Sequence, residues 1–204
     1  AVMPNVLGRV RLMFDLDADL HAGLTALART NGTSLFMVCQ AALAALLTRV
    51  GAGTDIPLGS PIAGRTDHAL DDLAGFFVNN LVLRTDTGGN PTFRELVRRV
   101  RETDLAAYAN QDLPFERLVE LVNPARSLAR HPLFQVMLAF YHASTSRERL
   151  LGLDAEYTDP GLRQAKFDLS FDLVERLTGD GVPAGIEGTI EYSVDLFDEP
   201  TVRG

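Results

Sequence analysis

The chain has 204 residues, 46% apolar and 23% charged, enough to bury a sizeable core in one domain or one large lobe. Its 19 basic residues stand against 27 acidic ones, and the net charge of −8 argues against a general nucleic-acid or anionic-membrane surface, which needs clustered positive charge. The single cysteine, Cys39, can close no internal disulfide and can form no thiolate metal site alone; in its apolar run it reads as a small buried hydrophobe.

In chain order, Gly8 to Leu16 alternates, with Val10, Leu12, Phe14 and Leu16 on one side, the pattern of a half-buried strand. Asp17 caps a helix whose Leu20, Leu24, Leu27 and Ala28 share a face, with His21 on the polar side, and Asn31-Gly32 ends it. Thr33 or Ser34 starts a second helix, Leu35 to Val50, apolar nearly all round, and Gly51 stops it. Asp55 to Ala63 reads as extended, although Pro57 and Pro61 each remove a ladder donor. Phe77 to Thr85 is a strand that sets Asn79 beside Leu81 and Leu83, and Asn80 beside Val78, Val82 and Arg84. Thr92 and Glu95 form a capping box for a helix that turns Phe93, Leu96, Val97, Val100 and Ala107 inward. A short helix follows with Pro114 in its first turn and Asp112 or Leu113 as cap; Phe134 to Tyr141 is a strand covered on both faces. Phe167 to Leu173 and Ile186 to Tyr192 alternate and are joined through Gly179-Asp180-Gly181 in a long hairpin. Strands and helices mix and the last pair is antiparallel, which predicts an α/β (α+β) fold with a mixed sheet and flanking helices. The chain opens without an initiator methionine and stops just after Asp198 to Val202 launch a helix, which leads us to expect a piece of something longer. No run is long enough to span a bilayer and no signal peptide opens the chain, so the cytoplasm is the expected setting.

Three blocks stand out: Pro61 to Arg84, Asn110 to Leu118, and Ser127 to Val136. In the first, two adjacent asparagines lead into an apolar strand. A buried amide that lacks partners costs about 1–3 kcal/mol, so either the fold or a polar ligand must meet them. Gly75-Phe76-Phe77-Val78-Asn79 with Arg84, Asn110-Gln111-Asp112 with Pro114-Phe115-Glu116, and Arg130 with Pro132-Leu133-Phe134-Gln135-Val136 occur in this order and spacing. Together they resemble the C-terminal half of a condensation domain of nonribosomal peptide synthetases. Asn80 departs from that pattern, standing where threonine is usual, and Pro57 interrupts a segment the family fills with β-branched residues.

The resemblance implies a chloramphenicol acetyltransferase-like lobe over residues 1–204, with the His-His-x-x-x-Asp-Gly motif on an N-terminal lobe absent from the chain. It further implies an interlobe tunnel into which upstream and downstream peptidyl carrier proteins insert phosphopantetheine arms, an adjacent adenylation domain, and amide formation between a thioester and an acceptor amine. No cofactor is expected to bind directly. The substrate-binding residues it points to are Arg65, Asn79, Gln111 and Asp112. Each also has a plainer reading: Arg65 as a turn arginine paired with Asp67 or Asp71, Asn79 as a satisfied sheet amide, Gln111 and Asp112 as helix-entry residues. Two alternatives stand beside it, a non-catalytic lobe that recruits a tailoring enzyme and an epimerisation or heterocyclisation relative.

No catalytic constellation is complete. His68 and Asp72 have an acyltransferase spacing, but Leu73 follows where glycine belongs and Thr66-Asp67 precede where a second histidine would stand. Asp168 and Asp172 lie about 13 Å apart along one strand, too far for paired carboxylates. No two histidines stand at metal-ligand spacing. His131 reads as structural or surface, and His142 as the end of an apolar strand where a ligand contact is possible.

Overall fold

The computed structural model describes residues 8–64, 72–124, 130–142, 149–150, 153–154 and 165–204. The first alternating segment is β1 (Arg9–Leu16), and the Asp17 carboxylate accepts the Leu20 N–H at 2.8 Å to open α1 (Ala18–Thr30). Ser34 Oγ accepts the Met37 N–H at 3.2 Å and caps α2 (Leu35–Arg49). Then come β2 (Asp55–Ala63), β3 (Val78–Asp86), α3 (Phe93–Tyr108) and α4 (Phe115–Val122). The chain continues through β4 (Val136–His142), the short pair β5 (Arg149–Leu150) and β6 (Leu153–Asp154), β7 (Leu169–Leu177), β8 (Pro183–Ser193) and α5 (Glu199–Arg203). Six strands make one mixed sheet in the order β1-β8-β7-β4-β2-β3, in which β1–β8, β8–β7 and β2–β3 pair antiparallel and β2–β4 pair parallel.

Residues 23–139 form one compact unit. Ala28, Met37, Val38 and Ala41 from α1 and α2 pack on Leu96, Val97 and Val100 of α3. Phe93, which periodicity turns inward, is 38% exposed. Only the threonine half of the capping box forms: Thr92 Oγ1 accepts the Glu95 N–H, while the Glu95 carboxylate pairs with Arg98 and Arg99. Both prolines of β2 are tolerated because the parallel register with β4 falls on Leu58 and Gly59, between them. A side chain at Gly59 would meet the fully buried Phe134 ring at 2.1 Å, so only glycine lets that ring lie on the strand. This packing also explains why β4 begins at Val136 and not at Phe134.

One polar cluster sits inside this core. Gln40 Nε2 donates to Asp104 Oδ1 at 3.0 Å and to Thr85 Oγ1 at 3.2 Å, and all three residues are buried. Gln40 Oε1 and Asp104 Oδ2 are buried and have no partner among the described residues. Desolvation pushes the Asp104 carboxyl up to about 6, against the opposing effect of the Gln40 bond. Burial and the Asp104 charge push Tyr108 up to about 12.

The second unit takes in residues up to 22 and those from 140 onward. Here β1, β8 and β7 pair antiparallel, with Leu12, Leu173, Ile186 and Tyr192 buried on one face. The same face carries a carboxylate, Glu175, which His21 Nε2 meets at 2.9 Å and His142 Nδ1 at 2.7 Å. His21 therefore does not lie on a solvated helix face, as its position in α1 leads one to expect; it is fully buried. Its Nδ1 accepts the Gly185 N–H at 3.2 Å, which assigns the ring proton to Nε2 and makes His21 a neutral donor to Glu175. Thr178 and Gly181 close the β7–β8 hairpin, with Gly181 N–H donating to the Thr178 carbonyl at 2.9 Å.

Candidate functional site

Within the unit of residues 23–139, three stretches meet. They are the end of β2 at Gly64, residues 76–80 leading into β3, and the loop from Gln111 into the first turn of α4 at Glu116. They line a cleft of about 450 Å³. Gly64 donates its N–H to the Phe77 carbonyl at 2.7 Å, and a Cβ at residue 64 would come within 2.1 Å of that oxygen. Only glycine allows the two segments to approach so closely.

Asn79 organises the far wall. Its Nδ2 donates to the carbonyls of Gln111 and Leu113, both at 2.9 Å, and its Oδ1 accepts the N–H groups of Asn80 at 2.9 Å and Phe115 at 3.0 Å. Two donors and two acceptor sites are the full capacity of a side-chain amide. Phe115 is the first residue of α4, and Pro114 in the cap position makes no side-chain bond. A strand residue therefore caps this helix from outside it, satisfying one of the orphan N–H groups. The cap is neither Asp112 nor Leu113, as local sequence leads one to expect. The reason is that a 36-residue separation brings a better acceptor to the same place.

Asn80 is the other half of the pair and is placed differently. It is half-buried, lines the cleft, and its side-chain amide makes no hydrogen bond among the described residues. The residue across from it in the register is Pro61, and Val78 and Val82 flank it on its own face. Arg84, further along that face, is held at the surface by the Asp55 carboxylate through bonds of 2.7 and 2.6 Å.

Gln111 and Asp112 both line the cleft, Gln111 half-buried and Asp112 exposed. Arg65, like His68, lies outside the described residues. Of the expected binding residues, Asn79, Gln111 and Asp112 are thus brought together around one space. Two further lining residues stand in the first block without being named as binding residues from sequence: Phe76, which is 90% exposed at the cleft, and Asn80, whose signals are its place in the asparagine pair and its departure from threonine. Beneath the cleft, the Phe115 ring stacks on His131 at 5.2 Å, and His131 in turn packs on Phe134 at 4.0 Å. Burial in this stack holds the His131 imidazole below its usual range. His131 thereby acts as a packing ring joining the second and third blocks. Among the described lining residues the charged side chains are Asp112 and Glu116, and none is a hydroxyl, thiol, imidazole or amine. A surface of that composition is suited to hydrogen bonding neutral groups and to attracting cationic ones.

A family model for the condensation domain matches residues 7–204. The chain is 60% identical over 191 residues to a probable non-canonical nonribosomal peptide synthetase, CymA, of Salinispora arenicola, covering 94% of the chain and 2% of that protein. It is 57% identical over 190 residues to a dimodular nonribosomal peptide synthase of Bacillus subtilis, covering 93% of the chain and 8% of that protein. The chain thus spans a small fraction of the curated relatives it matches. Among solved structures, the complex of the X-domain and OxyB from teicoplanin biosynthesis superposes with a TM-score of 0.87 at 35% identity, over 98% of this chain and 44% of that one.

Proposed function

This chain belongs to the condensation-domain family, and on that premise we propose that it is the C-terminal lobe of such a domain. In this reading it offers one wall of a tunnel where a carrier-bound acceptor amine attacks a carrier-bound aminoacyl or peptidyl thioester. The observation that carries the reading is the cleft itself. It is built from the first two matched blocks, with the third packed beneath it, and its described lining residues present amides and carboxylates and no imidazole. The 44% of the X-domain chain that this polypeptide matches supports its being about half of a two-lobed domain.

The division of labour is chemically sound. A thioester is already activated, and holding the amine in line supplies effective molarities of about 10⁵ M or more. The amine's proton then passes to an imidazole on the N-terminal lobe. Gln111 and Asp112 face the substrates from the loop, and Asn79 acts by fixing that loop; Arg65 keeps the role the resemblance gives it. The partners are the N-terminal lobe, upstream and downstream carrier proteins with their phosphopantetheine arms, and an adjacent adenylation domain, in the cytoplasm. A second reading, a lobe that recruits a separate enzyme, is favoured by one observation, the likeness to an X-domain solved in complex with OxyB.

Loaded donor and acceptor carrier proteins should yield an amide product when this chain is joined to a condensation N-terminal lobe bearing the histidine motif, and none with the chain alone. Product from the chain alone, or its absence from the joined protein, would refute the reading.

A further inference from the structure

We propose that Asn80 is the residue of the cleft that grips a ligand, and that what it grips is an extended chain carrying consecutive secondary amides. The proposal rests on the condensation reading above and names the chemistry recognised at its cleft.

The two asparagines are adjacent but not equivalent. Asn79 has all its hydrogen-bonding positions filled by the loop, by α4 and by its own neighbour's N–H. Asn80 is half-buried and its side-chain amide makes no hydrogen bond among the described residues. Among the described residues, its neighbours in the strand register offer no polar side chain. Proline stands opposite, valines lie on either side, and the next residue across the strands, opposite Val82, is Gly59. An amide set among Val78, Val82 and Pro61 contributes nothing to the fold that an apolar side chain would not, and is left to whatever enters the cleft.

A side-chain amide presents one acceptor and one donor side by side. An extended backbone offers the complement, because the N–H of one amide and the C=O of the next project to the same side of the intervening residue. Among the described lining residues the charged groups are the Asp112 and Glu116 carboxylates, which disfavour an anionic group beside them, whereas a neutral amide chain meets no such penalty. Two sources share that chemistry, the β-alanyl segment of a pantetheine arm and a peptide backbone.

The isotope-labelled chain is titrated with pantetheine and, separately, with N-acetylglycine N-methylamide at millimolar concentrations, following the Asn80 side-chain NH₂ and the amides of residues 78–82. Both wild type and Asn80→Leu are used; the leucine keeps the size and removes the hydrogen bonding. The expected result is saturable shifts that weaken about tenfold in the variant, with a melting midpoint no lower than wild type because the amide holds nothing in the chain. Binding of pantetheine assigns the site to the arm, and binding of the diamide alone assigns it to the peptide. If neither probe shifts these resonances, or if Asn80→Leu binds as well as wild type, the proposal is wrong. The titration needs no carrier protein, so its failure and that of the amide-forming assay are separate results.

Discussion

Replacing Asn79 by alanine lowers the stability of the chain by about 2–3 kcal/mol, at net values near 0.5–1.5 kcal/mol for each lost bond with some replacement by water at this half-buried position. The loss falls on one place. The carbonyls of Gln111 and Leu113 and the N–H of Phe115 lose their partner together, so the loop and the first turn of α4 loosen while the α2–α3 core remains. Urea denaturation measures the size, and amide exchange at residues 111–115 measures the location. Asn79→Asp keeps the acceptors but sets a carboxylate against two carbonyls, and is expected to be no milder than alanine. A change under about 0.5 kcal/mol, typical of an unremarkable surface site, would mean that the loop holds itself.

The second large effect depends on pH. The Asp104 carboxyl titrates near 6 in the folded chain because burial disfavours its charged form, against an ordinary value of 3.8. A raised folded-state value means that the stability tied to the neutral acid is fully present below about pH 4 and is lost as pH rises through 6. The span corresponds to on the order of 3 kcal/mol. An asparagine in its place carries no charge to desolvate, and the amide oxygen still accepts from Gln40. Asp104→Asn is therefore expected to match wild type near pH 4 and to exceed it above pH 6, by up to that amount. Parallel denaturation curves across this range test it; a constant difference between the two proteins would show that Asp104 does not ionise in the fold as described.

What is legible in the sequence is local. β1, α1, α2 and the β7–β8 hairpin follow from alternation, caps and turn glycines within a few residues of one another. The points where sequence and structure part share a cause, which is a partner far along the chain. His21 looks solvated because the carboxylate that buries it lies 154 positions later. Asp112 looks like the cap of α4 because Asn79 lies outside any local window. Phe134 looks like part of the strand because nothing in its own run reveals that Gly59 leaves room for its ring. For the asparagine pair, alternation correctly separates the two faces. It cannot say which amide the fold consumes, since that depends on what crosses each face: a loop in one case, a proline in the other.

Both the loop's attachment and the proposed grip on a ligand require those neighbouring amides to have different fates. The direct measurement is hydrogen exchange of the two side-chain NH₂ groups in the labelled chain without ligand. Asn79 should show strongly protected protons, and Asn80 should exchange at nearly the rate of a free amide. Equal protection of the two, or protection of Asn80 alone, would contradict the account.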